Sequence, residues 1–304
     1  MPKKYVLTDE VKWIGDHKLH RIKAIVSFDD VVCGEFGGYI ENESNLSHED
    51  TAWIYNNATV YSNARVYGNA KVYGYATLCG NAEVYGNARV SEGAIVSGNA
   101  EVYDAARVYG RALVDDSAMV YGHAEVYGNA RVGDYAIVYG NAEVYDATRV
   151  YGRAEVGGNA RVYSYARIYG DARVSGDAIV SGKAEVYEDA GVYGRSEVGG
   201  GAMVHGDATV SGISRVYGDA EICGTAIVWD NSDYVTVRGF GSRHRTTTFF
   251  KTKDGGIGVK CGCFYGSLDK FRSECIETHG SNKYSREYRM LATVVNFHFS
   301  AKEP

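Results

Sequence analysis

Histidine and cysteine are the residues with which this chain could do chemistry, and their spacing limits what that chemistry is. Only His123 and His205 lie in the long middle stretch, the first in a Gly-rich turn and the second at a position expected to face outward. A histidine general base needs a carboxylate or a loop to orient it, and neither residue has an evident one nearby. Cys261, Cys263, Cys275 and His279 raise the question of zinc. Their spacing, Cys-x-Cys, eleven residues, then Cys-x-x-x-His, fits no common zinc pattern, so buried free thiols are expected. No catalytic set, metal site or cofactor motif is assigned. A third group is charged: Arg238, Arg243, His244 and Arg245, then Lys251, Lys253 and Lys260. Such a cluster either receives an anion (a nucleotide, a nucleic acid or an acidic protein surface) or docks on acidic parts of its own chain.

The elements that must position these residues are written in a repeat. From Ile54 to Val228 every sixth residue is aliphatic, thirty times without a slip. Two places before each stands Ala, replaced only by Thr148, Ser196 and Ser214, and the unit reads Ala-x-Val-Tyr-Gly-Asn. Ala and Val two apart describe a short strand with both facing inward, while the variable residue and the Tyr face out. Gly-Asn, Gly-Asp or Asp-Ala then turns a corner, because these residues tolerate positive φ or bond locally. Three corners close a coil of eighteen residues, and thirty repeats make about ten coils. A helix is excluded, since a spacing of six keeps no residue type on one face of a 3.6-residue spiral. With its aliphatic-then-small spacing over about 180 residues, the sequence resembles the hexapeptide-repeat family. The resemblance implies a left-handed parallel β-helix, and handedness rests on it alone. It departs from the family in placing Gly two positions after the aliphatic residue rather than directly after. Many members are acyltransferases with a His base and coenzyme A bound between subunits, and others hydrate carbon dioxide on a metal held by three histidines. The solenoid has neither the insertions that such acyltransferase sites usually need nor a third histidine.

Residues eighteen apart stack, so outward side chains form columns. Tyr67, Tyr85, Tyr103, Tyr121 and Tyr139 form the longest, flanked by Met119 and Ile137, and Tyr109, Tyr127, Tyr145 and Tyr163 form a second. These ladders either present an aromatic interface, for self-association or for a partner, or stabilise neighbouring rungs. The column Lys71, Arg89, Arg107, Glu125, Glu143, Arg161 mixes signs, as a solvated face does. Residues 1–51 are expected to cap the apolar interior and backbone edge of the first coil. Segment 34–54, GEFGGYIENESNLSHEDTAWI, resembles leader segments of uncharacterised bacterial and bacteriophage solenoid proteins. Beyond the repeat, residues 233–304 read as a small α+β domain. A hairpin turns at Asp254-Gly255-Gly256, a helix starts after Ser267 and stops at Gly280, and a second helix runs from Ser285 to Val295 with Tyr288, Leu291, Ala292 and Val295 on its inner side.

Charge divides along the same lines. Residues 1–51 carry 6 Lys+Arg against 10 Asp+Glu, residues 52–232 carry 14 against 21, and residues 233–304 carry 12 against 7. The tail alone is basic. Six scattered cysteines imply no disulfide framework, and the absence of a signal-like or membrane-spanning apolar run points to a cytoplasmic protein. The expectation is a mainly β, non-catalytic scaffold whose C-terminal domain engages a protein or another anionic ligand, with homo-oligomerisation open. The leader resemblance adds a phage-encoded inhibitor of a host defence component as its finer form. An acyltransferase using acyl-coenzyme A, or nucleotide or nucleic-acid binding through the basic domain, are the alternatives.

Overall fold

The computed structural model describes residues 2–300. Each sixfold repeat forms one two-residue strand, and thirty of them run from Trp53–Ile54 to Ile227–Val228. The inward Ala and aliphatic side chains are fully buried. Each Val so buried contributes roughly 1.5–3 kcal/mol before the cost of chain ordering. Strands pair in parallel with the strand eighteen residues on, as Arg89 does with Lys71 and Arg107. Corners need a left-handed residue: Gly98 sits at φ +68, and a Cβ there would lie 2.7 Å from both N and O of Asp116 on the next coil. Where Asp takes the corner, its carboxylate accepts from the next coil's corner amide, as Asp134 does from Gly152 N at 2.9 Å and Asp146 from Ser164 N at 3.1 Å. Corner side chains therefore bond between coils and not only locally.

The chain forms two compact units, Met1–Tyr165 and Ala166–Pro304. The first opens with strands β1 (Tyr5–Ile14), β2 (His17–Ala24) and β3 (Phe36–Ile40), paired antiparallel in order. β3 then pairs in parallel with Thr59–Val60, so the antiparallel sheet passes directly into the repeat. Trp53 is fully buried between the edges of Tyr5 and Phe28. Beside it, Lys4 Nζ donates to the carbonyls of Glu49 and Ala52, and burial lowers its pKa to about 8.

The second unit carries eleven of the short strands, from Arg167–Ile168 onward. A four-stranded antiparallel sheet follows, Tyr234–Val237, Thr247–Lys251, Ile257–Cys261 and Phe264–Ser267. Two helices complete it, α1 (Leu268–His279) and α2 (Lys283–Ser300). Ser267 caps α1 by accepting from Lys270 N at 3.3 Å, and Gly280 ends it at φ +58. Phe249, Val259, Phe271, Tyr288, Ala292 and Val295 form the core of this domain. The sheet seats on the last coils, where Thr252 bridges Ala226 and Thr248 Oγ1 accepts from Glu221 N at 3.1 Å. The hairpin and α1 match the sequence expectation. The two outer strands are additional, and α2 is longer than Ser285–Val295 at both ends.

Candidate functional site

The tyrosine columns are built from ring faces. In the first unit Tyr67, Tyr85, Tyr103 and Tyr121 stack at 4.8–4.9 Å with planes within 9°. The hydroxyl of Tyr67 donates to Glu83 at 2.7 Å and that of Tyr85 to Glu101 at 2.9 Å. Tyr139 ends the column, 5.7 Å from Tyr121, with its ring lying where a side chain on Gly157 would stand. Met119 and Ile137 pair side by side and are half-buried. Along Tyr67–Tyr139 the ring faces are thus turned toward one another from rung to rung.

His205 is a member of such a column. Its ring lies 4.6 Å from Tyr187 with planes 2° apart, and Nε2 is 3.0 Å from Glu221 Oε1. Glu188 lies 3.6 Å from Nδ1, so two carboxylates flank a histidine for which the sequence showed none. Residue 221 is sixteen after 205, the spacing of every Tyr–Glu pair above. His205 thus occupies a tyrosine slot. His123 is exposed on a turn.

The seven basic residues separate into two groups. Arg238 pairs with Asp219 at 3.1 Å, Lys260 with Glu221 at 3.1 Å, and Lys251 with Asp233 at 2.6 Å. Lys253 Nζ donates to the carbonyl of Asp207 at 2.9 Å. Three of these four partners, Asp219, Glu221 and Asp207, belong to the repeat. Arg243, His244 and Arg245 instead sit on the loop between the first two strands of the sheet, where no ion pair holds them among the described residues. Beneath the loop is a cavity of about 500 Å³ lined by Arg243, Arg245, Cys263, Tyr265, Lys270 and Glu274, among others.

The thiols differ from one another. Cys275 is buried, and burial pushes it up to about 11, while Cys263 is exposed and Cys261 half-buried. Uniformly buried thiols were expected, and the two-residue connection through Gly262 is what brings Cys263 to the surface. Among the described residues no three His, Cys, Asp or Glu side chains converge as a metal would need.

A surface that the sequence reading missed lies on α2. Tyr288, Ala292 and Val295 face the core, yet Met290, Val294 and Phe297 are 65%, 65% and 75% exposed. Their spacing of three and four places them on one stripe. Arg286, Arg289 and Arg272 border it in a groove of about 660 Å³. The signal was present as a second apolar periodicity within the same helix.

These features define the class: a repeat-built parallel β-solenoid protein with a small α+β domain at its C-terminal end. Residues 64–80, 82–98 and 166–182 match the YdcK Beta solenoid repeat, each spanning seventeen residues and beginning at an inward Ala. The coils are similar to that family's repeat. No curated protein matches the chain. No helix among the described residues is long and apolar enough to cross a membrane.

Proposed function

We propose that the protein is a non-catalytic binding scaffold whose C-terminal domain docks an acidic, amphipathic helix of a partner protein on the outer face of α2. The observation that carries this reading is the stripe Met290, Val294 and Phe297 bordered by Arg286 and Arg289. An exposed apolar stripe beside like charges favours an apolar, oppositely charged occupant. The non-catalytic half rests on His205, which stacks on Tyr187 and meets a carboxylate sixteen residues on, as Tyr67, Tyr85 and Tyr169 do. Relative to the sequence expectation, the docking site moves from the cluster Arg238–Lys260 to α2, because four of those cations are already engaged.

The test uses two labelled helical peptides with the same Leu face, one with Glu and one with Lys on the other face. Binding of the Glu peptide, weakened by salt and reduced at least about tenfold (about 1.4 kcal/mol) by Val294→Asp or by Arg286→Glu with Arg289→Glu, supports the reading. Equal binding of both peptides, or Glu-peptide binding indifferent to Val294→Asp, overturns it. A dimer in sedimentation that Val294→Asp dissolves would assign the face to a second copy instead.

A further inference from the structure

The cavity beneath the Gly239–Arg245 loop shares no lining residue with the α2 groove, and its chemistry is different. We propose that it binds a small organic anion with a flat aromatic body, of the class of a nucleoside monophosphate.

Charge is the first ground. Arg243, Arg245 and Lys270 line the cavity against a single carboxylate, Glu274, and none of the four is in an ion pair among the described residues. Partners exist in this molecule, since Arg238, Lys251 and Lys260 in the same domain each have a carboxylate within 3.1 Å. Three cations held together without one make a seat for an anion, and two guanidinium groups suit a phosphate better than a point charge does.

The loop's construction is the second ground. Gly239 and Gly241 adopt φ +90 and +72, and His244 adopts φ +50 with Nδ1 2.9 Å from the carbonyl of Gly239. Gly241 N donates to Glu287 at 3.1 Å, and the hydroxyl of Tyr288 fills the space where a Gly241 side chain would be. The guanidinium of Arg245 likewise lies over the bare face of Gly262. The two arginines are thus carried on a turn pinned to α2 and to the hairpin below.

The floor is the third ground. Phe264, Phe271, Tyr288 and Cys275 give it an apolar surface, Tyr265 stands at the rim, and about 500 Å³ lies within the range of pockets that take small organic ligands. A bare inorganic anion would leave that floor unused. An aromatic body on the floor with its phosphate at Arg243 and Arg245 uses both halves.

Cys263 lines the cavity and is exposed, so its alkylation reports occupancy, and exposed Cys33 in the other unit is an internal control. The intact chain is treated with iodoacetamide alone, with adenosine monophosphate, with adenosine and with inorganic phosphate, and both cysteines are followed by mass spectrometry. The expected result is that adenosine monophosphate slows alkylation of Cys263 several-fold and raises the melting temperature. Adenosine and phosphate should each do less, and Cys33 should not respond. Arg243→Glu with Arg245→Glu should remove the protection, while Lys183→Glu, a remote charge change, should keep it. Should the loop variant melt early, Lys270→Glu on the opposite wall provides the same test. No protection by adenosine monophosphate, or protection undiminished by the charge reversals, overturns the proposal. Protection by phosphate alone equal to that by the nucleotide overturns its aromatic half.

Discussion

At position 205 a histidine takes over the two contacts that a tyrosine makes elsewhere in the repeat, one through its ring face and one to a carboxylate sixteen residues on. That equivalence is testable. His205→Tyr should keep the melting temperature within a few degrees, because a phenol fits the slot and can donate to Glu221. His205→Ala should lose about 1 kcal/mol from the vacated stacking. If instead His205→Tyr is as damaging as His205→Ala, the column does not explain the histidine. Thr148, Ser196 and Ser214 make a related point about legibility. Their small size was enough to place them inside, but the reason a buried hydroxyl is tolerated was not. Each turns its Oγ back to a carbonyl three residues earlier, at 2.7 Å for Thr148 and Ser196 and 2.8 Å for Ser214. Such bonds depend on where the backbone corner puts the carbonyl, which a six-letter period does not encode.

The coil is the element at which the sequence was most informative, since inward and outward positions are fixed by a period that never slips. Deleting residues 133–150 removes one coil within the first unit and joins Val132 to Tyr151 in register. That variant should fold cooperatively, with stability lowered by about one repeat's share. Deleting 133–141 shifts the pattern by three, which puts Tyr and Asn or Asp where Ala and Val belong, and it should fail to give a cooperative melt. Comparable melts for both would refute the three-sided coil. The C-terminal elements were less legible for a physical reason. Strands Tyr234–Val237 and Phe264–Ser267 have four residues each, too few for alternation to stand out, and they exist because neighbours pair with them. In α2 the reading followed one apolar face, through Tyr288, Leu291, Ala292 and Val295, and passed over the second at Met290, Val294 and Phe297.

Across the whole molecule the charge asymmetry was visible in composition, but its use was not: the sequence left self-docking and partner binding open for the basic cluster. The distances divide it, with Arg238 and Lys260 held by repeat carboxylates and Arg243 and Arg245 left over a cavity. A second property of the whole chain comes from burying so many weak acids. Burial pushes Cys275 up to about 11, Cys223 up to about 12, and Tyr61 and Tyr187 up to about 12, with nearby carboxylates adding to the effect at Cys223 and Tyr187. Tyr67, Tyr85, Tyr109 and Tyr127 are raised in the same direction by burial and by Glu partners. For each such group the unfolded chain gives up its proton first, near 9 for Cys and 10 for Tyr. The unfolded state then binds fewer protons than the native one, so stability is fully present below about pH 9 and drains away as pH rises toward 12. Lys4 opposes this: its pKa is lowered by burial from 10.5 to about 8, so the cost of burying its charge is relieved between those values. One lysine stands against a whole set of tyrosines and two thiols, and the set should win. The melting temperature is therefore expected to hold up to about pH 9 and to fall steadily by pH 11, with the fall reduced in Tyr187→Phe, which cannot ionise at that position. A melting temperature that rises or stays level from pH 9 to pH 11 would show that the stacked tyrosines are better solvated than their packing implies.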